Sequence, residues 1–135
     1  MEKITAQEAL HRLTERYKEK IMNGERKKLA GLDINDYVSV FRRGSEVTIL
    51  EYCQVDDTLA GTLMKHKQEI FEQIDGATDI ILLIIVAKGI VLMLEDINML
   101  ESFVNLLGED ANFYWGMENE DTIDFKVKME VYIIK

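Results

Sequence analysis

Proline is absent from all 135 residues of this chain, and cysteine occurs once, at Cys53. The first absence removes Pro-rich linkers and cis-proline turns from consideration. The second excludes an internal disulfide and a cysteine-based metal site. A free thiol on a strand behaves as a small apolar group, and such a position near the sheet is the expected home of Cys53. The N-terminus shows no basic start followed by an apolar run, so no signal peptide is expected. The longest apolar stretch, residues 80–94, is interrupted by Lys88-Gly89 and is too short to span a bilayer. A phosphate-cradling glycine loop, a dinucleotide fingerprint and a Ser-His-Asp arrangement are also missing. Together these absences lead to the expectation of a cytoplasmic protein with no intrinsic enzyme activity, no cofactor and no metal.

What is present points to one domain with a real core. The net charge is −9, unevenly spread. Residues 1–28 carry 8 Lys/Arg against 5 Asp/Glu, whereas the rest of the chain is strongly acidic. An acidic body repels phosphates, so nucleic acid is not an expected partner. The basic first segment is complementary to that body and is expected to dock on it. Glu8, Glu15, Glu19 and Glu25 interrupt its charge, which argues against a membrane-binding peptide.

The periodicities give an order of elements. Residues 5–23 read as a helix, with Thr5 and Glu8 in a capping-box spacing and an apolar stripe of Leu10, Leu13, Tyr17 and Ile21. Residues 25–31 read as a polar link. Asp33 to Phe41 reads as a short helix with Asp33 as its cap, followed by a turn at Arg42-Arg43-Gly44. Residues 47–55 alternate as a strand. Asp56-Asp57 then cap a helix to about Gln73, whose stripe is Leu59, Leu63, His66, Ile70 and Ile74. Residues 80–87 are apolar at every position, as in a central strand covered on both faces. A helix over 96–107 with a stripe of Ile97, Leu100, Val104 and Leu107 follows, then strands at 112–118 and 124–134. The expected fold class is α+β: a four-stranded mixed sheet, the helices 57–73 and 96–107 on one face and the N-terminal helix on the other. Residues 1–28 would form an N-terminal helix and link, and 29–135 the domain proper.

That order, with two acids three residues apart ahead of the first strand, resembles the C-terminal domain of FtsZ, the bacterial tubulin homologue, without its GTPase domain. Leu32-Asp33-Ile34-Asn35-Asp36-Tyr37-Val38-Ser39-Val40-Phe41 is similar to the family's synergy loop and the short helix after it. Ala87-Lys88-Gly89-Ile90-Val91-Leu92-Met93-Leu94, Asn112-Phe113-Tyr114-Trp115-Gly116-Met117 and the strand from Phe125 resemble later family segments. The resemblance implies that Asp33 and Asp36 reach the GTP pocket of a neighbouring subunit. Gly31 stands where the family has Asn, so one polar contact to that nucleotide is missing. The resemblance further implies an interaction loop of Gly31, Leu32, Asp33, Asn35 and Asp36. Its partner would be an FtsZ or FtsZ-like GTPase, and the role capping or modulating a filament in cell division. Any help with GTP hydrolysis would be given in trans. The initial Met and the self-contained first helix lead to the expectation of an independent chain.

Other readings stand beside these. A cap Asp and a first-turn acid stabilise a helix start by about 1 kcal/mol for the cap, with no partner involved. The chain is equally readable as a self-associating structural or small-molecule-binding domain, a homo-oligomer, or an excised domain of a full GTPase. His66 is expected to be a hydrogen-bonded core residue and His11 solvated. Glu118, Glu120, Asp121 and Asp124 lack the pattern of a calcium loop and read as a solvated turn. Of Tyr114 and Trp115, on opposite faces, one is expected to be exposed. Met93, Met99, Met117 and Met129 are expected to fill the core.

Overall fold

The computed structural model describes residues 2–16, 26–31, 34–54, 58–87, 89–90, 93–107, 111–120 and 125–135. Its elements are β1 (Glu2–Thr5), α1 (Ala6–Arg16), β2 (Arg26–Gly31), α2 (Ile34–Phe41), β3 (Glu46–Gln54), α3 (Leu59–Gln73), β4 (Asp79–Ala87), α4 (Leu94–Leu107), β5 (Asn112–Glu120) and β6 (Val127–Ile134). The strands form one six-stranded sheet in the order β1-β3-β6-β4-β5-β2. Only β4 and β5 pair in parallel; the other pairings are antiparallel.

The four strands expected from periodicity are the central four, and the two additional ones are corrections. Residues 25–31, expected as a link, contain β2, which pairs with β5; residues 2–5 form β1 on β3. Neither Glu-Lys-Ile-Thr nor Arg-Lys-Lys-Leu-Ala-Gly has an apolar face, because an edge strand need not bury one. What makes them strands is the pair of open edges offered by β3 and β5. The first helix covers Ala6–Arg16, later in start and shorter than expected among the described residues, and Thr5 caps it by accepting from Glu8 N–H at 3.1 Å.

All nine residues of β4 are buried, as a strand covered on both faces requires. One face of the sheet carries α3 and α4. Leu59, Leu63 and Ile70 of α3 and Leu100 and Phe103 of α4 pack there on Ile80, Leu82, Ile84 and Val86. The opposite face packs Ala9 and Leu13 of α1 and Val40 and Phe41 of α2 on Ile81, Leu83, Tyr132 and Ile134. The N-terminal helix therefore covers the expected face, but it shares that cover with α2. Gly44, in the turn after α2, sits so close to β6 that a methyl group there would overlap the Ile134 side chain.

Several side chains depart from the expected pattern. Cys53 is exposed, because β3 runs on past the cover supplied by α1. Ile97 and Met93 are exposed rather than core, because α4 turns Asp96, Leu100 and Phe103 inward instead. Thr58 is the cap of α3, accepting from Gly61 N–H; Asp56 and Asp57 lie outside the described residues. Neither Tyr114 nor Trp115 is exposed: each is half-buried, Tyr114 against the α1/α2 side and Trp115 against the α3/α4 side.

Candidate functional site

Building outward from the sheet edge, β2 brings Gly31 opposite Gly116 of β5, at the last pair of their ladder. After two intervening residues α2 begins at Ile34, with Asn35 and Asp36 in its first turn. Leu32 and Asp33 lie outside the described residues. The interaction segment thus has a strand end on one side and a helix start on the other. The N-terminal end of α2 carries the positive end of the helix dipole.

The far end of α2 is anchored firmly. Val40 and Phe41 are buried, and the Phe41 ring meets Tyr132 edge-on at 6.1 Å. The helix closes with Arg42, Arg43 and Gly44 N–H groups donating to the carbonyls of Val38, Val40 and Phe41. That turn delivers Arg43 to the start of β4. Its guanidinium donates to Asp79 Oδ1 at 2.7 Å and to Tyr114 Oη at 2.7 Å. Asn112 also donates to Asp79 Oδ1, at 3.2 Å. Burial pushes the Asp79 carboxyl up. The hydrogen bonds from Arg43, Asn112 and Thr78 outweigh that and hold it below the usual carboxylate range. The bond to Asp79 is the main reason the Arg43 guanidinium lies above its ordinary value.

Arg43 and Asp79 were not singled out from the sequence. The signal was there in part: an Asp heading a strand otherwise wholly apolar has to find a cation or donors. Its partner lies 36 residues away, out of reach of any local pattern. Neither residue is a nucleophile in a cavity, and Arg43 already serves two acceptors. The cluster positions α2 against β4 and β5; it has no reactive group of its own.

The remaining candidates resolve as follows. His66 is half-buried, within 3.1 Å of Gln54 Nε2 and stacked on Tyr52 with ring centroids 3.9 Å apart. The Tyr52 hydroxyl donates to Glu69, and burial first and that bond second push its pKa upward. His11 is exposed. Glu120 is buried at the end of β5 and Glu118 half-buried, so these two are not the solvated turn expected; Asp121 and Asp124 lie outside the described residues. Among the described residues no three His, Cys, Asp or Glu side chains converge on a point where an ion would sit. Glu130 is fully buried; Tyr132 Oη donates to it at 2.7 Å, and Lys128 Nζ lies 3.6 Å away. Among the described residues no helix is long and apolar enough to cross a membrane.

No family model matches the chain, and no curated protein matches it. Solved structures do, two of FtsZ among them. A tryptophan-to-tyrosine mutant of FtsZ from M. jannaschii aligns with a TM-score of 0.60 at 17% identity, covering 79% of this chain and 33% of that one. An empty FtsZ dimer from M. jannaschii gives 0.52 at 16% identity, covering 80% and 32%. The chain spans about a third of the length of these FtsZ chains, and at such identity the likeness speaks for the fold alone. The chain therefore has an FtsZ-like fold, consistent with a C-terminal-like domain of FtsZ.

Proposed function

We propose that this chain is a non-catalytic, FtsZ-like interaction protein. It docks through Gly31, Leu32, Asp33, Asn35 and Asp36 on the nucleotide face of an FtsZ filament, and caps or modulates polymerisation there. The observation that carries this reading is the alignment on about a third of FtsZ, joined to the sequence pair of Asp33, just ahead of α2, and Asp36, in its first turn. These 135 residues, docked by the contact segment on a filament end, would themselves offer no nucleotide for the next subunit. The anchoring of α2 through Phe41 and Arg43 supports the same reading, because a docking tip works only if its base is fixed. Asp33 and Asp36 would face the nucleotide of the FtsZ subunit; they supply no chemistry alone.

The test is a titration of polymerising FtsZ with sub-stoichiometric amounts of the chain, read by light scattering and GTP turnover. The expected result is lower scattering or altered turnover, blunted by the double variant Asp33→Ala/Asp36→Ala. No change at stoichiometric excess refutes the proposal.

A further inference from the structure

The described residues expose large apolar side chains at Met64, Met93, Leu94 and Ile97, each between 51% and 71% exposed. All four fall within the first two turns of α3 or at the start of α4. Scattered singly they would need no explanation; gathered at one end of two neighbouring helices they mark a contact surface. That end is rigid. Asp96, nearly fully buried, accepts from Ala60 N–H of α3 at 3.0 Å and from Met93 N–H at 2.9 Å. Farther down, the Phe71 and Phe103 rings stack with centroids 5.5 Å apart.

The direction of the two helices follows from the sheet. β3 and β4 both run antiparallel to β6, so they are parallel to each other, and the helices that return from them are parallel too. The two cross-links set the relative height of the helices. Counted from them, Lys65 on α3 lies within about one turn of Glu101 on α4 along the axis. Both are exposed. Beside the apolar end, the exposed charges are Lys65 and Lys67 on α3 and Glu95 and Glu101 on α4, with Glu69 and Glu72 farther along α3.

Such a face is complementary to itself. A two-fold axis parallel to the helices lays α3 of one copy over α4 of the other, at the same height. Apolar end then meets apolar end, and Lys65 meets the other copy's Glu101 twice per dimer. We propose that a second copy of this chain docks on the α3/α4 face to give a reversible dimer. The footprint of two helices about 20 Å long and roughly 10 Å apart lies at the small end of specific interfaces. The net charge of −9 on each copy opposes association, so the equilibrium is concentration-dependent. This inference stands on the α3/α4 face and not on docking to FtsZ.

The experiment is sedimentation velocity on the full chain over a wide concentration range. A rise from monomer towards dimer mass is expected. Lys65→Glu and Glu101→Lys each turn two rim attractions into repulsions and should each weaken the dimer by about tenfold. The double variant Lys65→Glu/Glu101→Lys should recover to within about threefold of the parent. Ile97→Asp, at an exposed position, should give monomer with an unchanged denaturation midpoint. A parent chain that stays monomeric overturns the proposal, including the case in which it instead binds lipid vesicles or a different protein. So does a dimer that these substitutions leave intact, or a double variant as weak as its single parents.

Discussion

Asp96 offers a direct test of how the helical layer is held. It is 4% exposed, and each of its carboxylate oxygens caps a different amide, Ala60 at 3.0 Å and Met93 at 2.9 Å. Asp96→Ala removes both acceptors at once. The Ala60 amide belongs to a residue only 5% exposed, so water cannot replace the lost partner, and that alone costs about 1–3 kcal/mol. The Met93 amide belongs to an exposed residue and can be rehydrated, adding about 0.5–1 kcal/mol. The expected loss is therefore about 1.5–4 kcal/mol, a large part of the stability of an ordinary domain. Asp96→Asn keeps one carbonyl oxygen and should lose about half as much. Urea denaturation followed by circular dichroism measures both, and the slope against urea should stay constant. A loss under about 0.5 kcal/mol for the alanine variant refutes the double-cap account. So does an asparagine variant that is as damaging as alanine.

Further outcomes follow from the α2 anchor. The folded-state pKa of Asp79 lies below the ordinary value, so the folded protein binds fewer protons there than the unfolded chain. Its stabilisation is complete above about pH 4 and is lost as pH falls through the folded value. Asp79→Asn should therefore flatten the decline in thermal midpoint below about pH 4, and curves of equal slope would refute the assignment. Gly44→Ala places a methyl group against Ile134, which has no exposed surface and no room to yield, so a destabilisation of about 1–3 kcal/mol is expected in the same urea assay.

The parts of the fold legible in the sequence are those with a strong pattern of their own. Nine buried positions make β4 apolar throughout, and the alternation in β3 and β6 gives the other central strands. β1 and β2 were not legible, because a polar segment becomes a strand only where a neighbour offers an open edge. Ile97 fits a helical stripe as well as Phe103 does; the side of α4 that turns inward is the one carrying Asp96, tied to Ala60, with Leu100 and Phe103. At the candidate site, the helix from Ile34 was readable from its acids and apolar run. Its anchor was not, since Arg43 and Asp79 meet only after the sheet has formed.

Both margins of the sheet come from the first thirty-one residues. One short segment closes against β3, and the other reaches β5, where Lys28 stands opposite Glu118 across most of the chain. The second of these segments can therefore take its place only once β5 has been made, whereas the first needs only β3. Folding of this kind is slow, because the most distant contacts carry the greatest loop-closure penalty. Once seated, the same two segments cover edges that would otherwise invite foreign strands, so the opening residues act as the selvedge of the sheet.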